Sequence, residues 1–280
     1  MPLIRKFPFF STVERPYVPI IRLTGVIGSN GAILGGEGLT IDALAEGLSR
    51  VFQKWRPKGI ALIINCPGGS PVQTSLIAHR IECLSKEEDV PVFAFIHDVA
   101  ASGGYWLATA ADEIYANPSS IVGSIGVITA GFGFQDLLKK VGIERRVYTA
   151  GINKMQLDPF QDEKKEDIKH LKDLQKAIHQ NFIDQVKRKR GDRLTAKDSE
   201  LFNGNVWTGE KAVELGLIDG IGDVREVMRD KFGEDVQLRE VTVTPQTMLS
   251  RIGLTSLKGM SSRAILSAFE ERMIWNRFGL

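Results

Sequence analysis

Gly59-Ile-Ala-Leu-Ile-Ile-Asn-Cys-Pro-Gly-Gly-Ser70 is a continuous apolar run that stops at a proline–glycine turn. A strand buried on both faces of a parallel sheet has this form, because neither face alternates with polar residues. The pattern returns at Val92 to Ile96, which leads into His97-Asp-Val-Ala-Ala-Ser-Gly-Gly-Tyr-Trp106 and a small-residue helix ending near Asp112. Between the two runs, Leu76, Ile77, Ile81 and Leu84 recur at helical spacing after Ser70. Upstream, Tyr17 to Ile27 is β-branched and apolar and enters a glycine-rich stretch, Gly25 to Gly38. Thr40 is placed to cap a helix carrying Ile41, Leu44, Leu48, Val51 and Phe52. Strand and helix thus alternate in units of about 30 residues, the signature of βαβ units and an α/β fold. Sites in such folds lie at the carboxyl ends of the strands, where both glycine turns fall.

Farther along, Ile114 to Ala116, Ile121 to Ile128 and Arg145 to Tyr148 are expected as short strands, and roughly Asp162 to Arg190 as one long charged helix with Ile168, Leu171, Leu174, Ile178, Phe182 and Val186 on one face. Thr195 to Phe232 is expected to be a compact helical region, and Val236 to Val243 a final strand. The expected organisation is an N-terminal tail over 1–16, a main domain over 17–244 and a C-terminal helical extension over 245–280, the last read as a docking helix.

The composition narrows the classes. The 280 residues, 43% of them hydrophobic and 25% charged, suit a globular domain and exclude a rod, a collagen or a disordered chain. A net charge of +2 argues against nucleic acid, and the basic run Lys187 to Arg190 fits a solvated helix end. Cys66 and Cys83, the two cysteines, have neither metal-ligand nor disulfide-framework spacing. No run of about 20 apolar residues is present and the N-terminus does not have the form of a signal peptide, so the expected location is cytoplasmic or peripheral at the inner membrane.

Ser102 stands where a buried strand turns into a helix, a position at which free backbone N–H groups favour developing negative charge. Ser-Gly-Gly alone is also an ordinary loop. Pro67-Gly-Gly-Ser70, ending the neighbouring strand, changes the balance, because its N–H groups can share a crevice with Ser102 and form an oxyanion hole. A serine nucleophile needs a base, and the four histidines are His79, His97, His170 and His179. His97 and Asp98 are near in sequence, but adjacent residues on an extended segment point to opposite sides. A lysine freed of its proton by burial can serve instead. Lys154, in Thr149-Ala-Gly-Ile-Asn-Lys154 after an expected strand, is the distinctive one, although charge alone would put it on a surface loop.

Pro67-Gly-Gly, Ala101-Ser-Gly-Gly-Tyr-Trp106 with Ala110-Ala-Asp112, Val122-Gly-Ser-Ile-Gly-Val127 and Thr149-Ala-Gly-Ile-Asn-Lys154, in this order, resemble the signal peptide peptidase A family (SppA, protease IV), in particular its short SohB-like members. The resemblance runs from about Val18 to Val227. It implies a ClpP/crotonase-like fold of repeated ββα/βαβ units and a Ser-Lys dyad, with Ser102 as nucleophile, Lys154 as general base, Ser124 as the serine that orients the lysine, and Gly68, Gly69 and Gly103 around the oxyanion hole. It further implies peptide substrates, released signal peptides among them, no cofactor and no metal, and a homo-oligomer in which serine and lysine can come from neighbouring copies.

Three departures accompany the resemblance. Cys66 stands where the family usually has serine or aspartate, the transmembrane helix that many members carry is not in this sequence, and the motif set occurs once. Two alternatives remain at this point: a crotonase-like acyl-CoA hydratase or isomerase, which would need acidic groups near the oxyanion turns where only Asp98 is near, and a non-catalytic scaffold of the same fold.

Overall fold

The computed structural model describes residues 15–28, 39–54, 56–151, 153–244 and 272–280. Most of the expected N-terminal tail, part of the glycine-rich stretch and residues 245–271 of the C-terminal extension lie outside the described residues. At the extreme C-terminus 272–276 are helical.

Strand β1 (Tyr17–Thr24) is followed by α1 (Ile41–Gln53), β2 (Ile60–Cys66), α2 (Pro71–Glu88), β3 (Val92–Ala101) and α3 (Gly103–Ala108). Parallel pairing places β2 between β1 and β3, with Ile20 opposite Ala61 and Leu62 opposite Ala94. The continuous apolar runs follow from this layout. Ile60, Leu62 and Ile64 of β2 enter the main core, Ala61 and Ile63 the smaller core behind the sheet, and β3 divides its side chains likewise. Thr40 caps α1 by accepting from the Ala43 N–H at 3.3 Å, and Ser70 caps α2 by accepting from that of Gln73 at 3.4 Å.

Beyond α3 come β4 (Glu113–Ala116), β5 (Ile121–Gly123), α4 (Gln135–Val141), α5 (Lys165–Arg190), α6 (Asp198–Leu201), β6 (Val206–Thr208), α7 (Gly209–Glu214), β7 (Gly220–Ile221), α8 (Val224–Phe232) and β8 (Gln237–Val241). The sheet runs β6-β5-β3-β2-β1-β8, and β4 pairs with β3 and β7.

Three expectations about the elements are corrected. The strand expected over Ile121 to Ile128 stops at Gly123, because Gly123 (φ +113°) and Ser124 (φ +52°) both leave the extended region. Residues 143–149 are irregular and exposed instead of forming a strand, since β6 takes the free edge of β5 by antiparallel pairing. The region 195–232 is not purely helical: Val206-Trp-Thr208 supplies that edge strand and Gly220-Ile221 pairs with β4.

The long helix is fastened at its C-terminal end by a buried ion pair, so the basic run there is not wholly solvated. Arg190 is buried; it donates to Asp219 at 2.7 Å and to the Gly216 carbonyl at 2.9 Å, and Asp219 also accepts from Arg193 and from the Ile114 N–H. Burial alone would raise the Asp219 carboxyl, but the bond and charge of Arg190, the Ile114 N–H and Arg193 outweigh it and hold the group below its ordinary value. Asp219→Ala leaves the Arg190 guanidinium buried without its partner, so urea unfolding is expected to show a loss of about 3–5 kcal/mol. Because the folded-state value is depressed, the contribution is present above the unfolded carboxyl's value and is lost as pH falls through the folded one, below about pH 4. Asp219→Asn should show less of this acid sensitivity than the wild type in the same titration.

Candidate active site

Ser102 joins β3 to α3 and takes φ +52° and ψ −123°, a conformation that costs a non-glycine residue about 1–3 kcal/mol. The surroundings enforce it. Its N–H donates to the Gly123 carbonyl at 2.8 Å, and its carbonyl accepts from the Trp106 N–H at 3.1 Å to start the helix. Its hydroxyl makes no capping bond to that helix and is left available.

The turn after β2 presses against this junction. Gly68 (φ +117°) lies so near that a Cβ there would stand 2.9 Å from the Ser102 Cβ and 3.2 Å from the Gly103 nitrogen, and a Cβ on Gly104 would stand 2.1 Å from the Cys66 carbonyl oxygen. Only glycine permits either approach. The N–H groups of Gly69 and Gly103 donate to no acceptor among the described residues, whereas the Gly68 backbone is bonded to Cys66. Ser102, Gly68, Gly69 and Gly103 are therefore brought together, with free donors beside a free hydroxyl. Ser102 opens on a narrow crevice of about 20 Å³, walled by Trp106, Val127, Ile178 and Phe182.

Ser124 lies just past β5, whose Gly123 holds Ser102, and its N–H donates to the Asn205 carbonyl at 2.6 Å. Lys154 is placed differently. It is exposed, it is not among the residues lining the crevice, and its side chain has no hydrogen bond or ion pair among the described residues. It lies on an excursion of the chain, 126–164, in which no described residue is buried and where Ile128, Phe132, Val141, Ile143 and Tyr148 are more than half exposed. The excursion folds on itself through the Arg145–Asp158 ion pair, the Phe134–Phe160 ring contact and Arg145 over Phe160.

The other titratable candidates fall elsewhere. His97 and Asp98 line a separate cavity of about 510 Å³ with Asp223 and Glu226, and Asp98 accepts from the Asn65 amide at 2.7 Å. The lysine that burial does lower is Lys189, beside Glu82 in a cavity with His79 and Cys83. Cys66 is fully buried, and burial pushes its thiol up to about 12, partly offset by a backbone hydrogen bond from Gly68. It is a packing residue beside the site. Sequence reasoning missed Asn205, Thr74 under Gly103, and the α5 side chains, because each arrives through a long-range contact that no spacing announces.

The fold is shared with a serine-to-alanine mutant of the 1510-N membrane-bound stomatin-specific protease: TM-score 0.50 at 16% identity, covering 83% of this chain and 99% of that one. This likeness is one of fold, the expected ClpP/crotonase-like α/β class, and the sequence comparisons give the family. The description Peptidase family S49 matches residues 85–238, more than half of the chain, and the chain belongs to that family. A protein of Enterococcus faecium whose name assigns it to the signal peptide peptidases SppA is 28% identical over 264 residues, covering 90% of this chain and 76% of that protein. A protein of Brucella abortus named Na(+)/H(+) antiporter NhaA is 47% identical over 284 residues, covering 97% of this chain. The chain spans only 38% of that protein, so the antiporter name describes a much longer molecule. No helix among the described residues is long and apolar enough to cross a membrane.

The two thiols should separate cleanly. Iodoacetamide at neutral pH is expected to add once to the native protein, at the half-buried Cys83 beside His79, and twice only after unfolding. A native adduct on Cys66 would contradict its burial; intact-mass and peptide mapping decide.

Proposed function

We propose that this S49 peptidase is a serine endopeptidase working through a Ser102–Lys154 dyad. The observation that carries the reading is the strained Ser102, its hydroxyl making no capping bond, beside the N–H groups of Gly69 and Gly103, which donate to no acceptor among the described residues. Ser102 Oγ attacks the scissile carbonyl carbon while its proton passes to Lys154 Nζ. The carbonyl oxygen becomes an oxyanion held by the glycine N–H groups, which are worth about 10²–10³ in rate per donor in comparable sites. As the C–N bond breaks, Lys154 returns the proton to the leaving amine. Water, deprotonated by the same lysine, then hydrolyses the acyl-serine. Ser124 orients the lysine.

A lysine works as a base only when desolvated, and in one copy Lys154 is in water. We therefore read the active form as a homo-oligomer in which a second copy covers the apolar excursion, buries Lys154 and brings it to a Ser102. The exposed apolar side chains of that excursion support this. Substrates are extended peptides and unfolded segments, released signal peptides included, met in solution or at a membrane surface. The crotonase-like alternative is weakened by Asp98, which is bonded to Asn65 and lines a different cavity.

Ser102→Ala and Lys154→Ala should each lower peptide cleavage by ~10⁴-fold or more. Mixing the two inactive variants should restore cleavage, since one supplies the serine and the other the lysine. Full activity in either single variant would sink the dyad, whereas a mixture as dead as its components would sink only the shared site.

A further inference from the structure

One face of α5 meets the site again and again. Phe182 stacks on Trp106 at 5.0 Å, Ile178 and Phe182 wall the crevice beside Ser102, and on the same helix His179 and Gln175 reach the chain that leaves Ser124. His179 Nε2 lies 3.0 Å from the Ile125 carbonyl oxygen. That oxygen can only accept, so Nε2 carries the hydrogen. Gln175 Nε2 donates to Thr129 Oγ1 at 3.1 Å.

These bonds sit where packing ends. Ile125 is fully buried, and no described residue from 126 to 164 is. Val127, which walls the crevice together with Phe182, is only half-buried, and its place follows in good part from the residues just before it. Ser124 is pinned by Asn205 and Ile125 by His179. On the crevice side of Thr129, which Gln175 holds, His179 supplies the one side-chain hydrogen bond to the residues flanking Val127, so this wall moves when that bond is lost, and a shift of about 1 Å in a substrate-holding surface can cost ~10²-fold in rate.

We infer that His179 is a positioning residue for the peptidase site: by donating Nε2–H to the Ile125 carbonyl it holds Val127 against the crevice beside Ser102, and so makes the site select a small side chain on the acyl side of the cut. The inference rests on the reading of Ser102 as nucleophile. His179 touches no reacting atom, and its effect is on selectivity.

The test compares kcat/KM for two otherwise identical peptides, with alanine or phenylalanine immediately before the scissile bond, in wild type, His179→Phe, His179→Gln and Ser102→Ala. The wild type should favour alanine. His179→Phe keeps the ring's bulk and loses the donor, so the alanine-to-phenylalanine ratio should fall about tenfold, the effect of one neutral hydrogen bond. His179→Gln keeps an N–H donor at similar reach and should hold the ratio within about twofold. Thermal unfolding of each variant separates this from general damage: a folded His179→Phe with an unchanged ratio, or a loss shared equally by both peptides and by His179→Gln, overturns the inference. Ser102→Ala is the control for the underlying reading; its inactivity upholds that reading even if the His179 result fails, and wild-type activity in it would remove both.

Discussion

The Cys66 carbonyl and the Gly104 Cα approach so closely that a methyl group at 104 would stand 2.1 Å from the oxygen, and the geometry of the site descends from that contact. It exists because β2 and β3 are parallel neighbours whose carboxyl ends finish side by side, each in a turn too crowded for any residue but glycine. Bringing the turns together forces Ser102 into positive φ between them. The strain is held by ordinary means: the Gly123 carbonyl on its N–H, a helix starting on its carbonyl, and a core that includes Tyr105, Leu107 and Ile64 around it. Tertiary packing thus sustains a local conformation that the serine alone would not adopt.

The site has one rigid half and one half that a single chain leaves open. Ser102 and the glycine donors belong to the sheet. Lys154 rides on a segment none of whose described residues is buried, with Ile128, Phe132 and Tyr148 largely exposed. Helix α5 links the halves. Arg190 and Asp219 fix one end in the fold, Phe182 and Trp106 build the crevice, and His179 and Gln175 catch the excursion where it departs. On the proposed shared dyad, a free chain would be inactive and assembly would switch it on.

Much of this could be read from residues alone. The buried strands were legible because a strand covered on both faces must be apolar throughout, and Thr40 and Ser70 announced their helices by chemistry that acts within three residues. The Ser102 junction was legible as a strand-to-helix turn with two glycines behind it. What escaped depends on partners distant in sequence. Val206-Trp-Thr208 is a strand only because β5 offers an edge, and Arg145 to Tyr148 is not one because that edge is already taken. His179 has the same spacing as any polar residue on a charged helix, and its bond to Ile125 comes from the docking of α5, which no local pattern encodes.

The claim at the centre is that the strained hydroxyl of Ser102 is the nucleophile, and covalent labelling reads it most directly. The assembled protein is treated with a serine-directed fluorophosphonate, and the adduct is located by peptide mass spectrometry, with Ser102→Ala treated in parallel. A single adduct on Ser102, absent from Ser102→Ala and reduced in Lys154→Ala, is the predicted result. An adduct on Ser124 or another serine that persists unchanged in Ser102→Ala would contradict it.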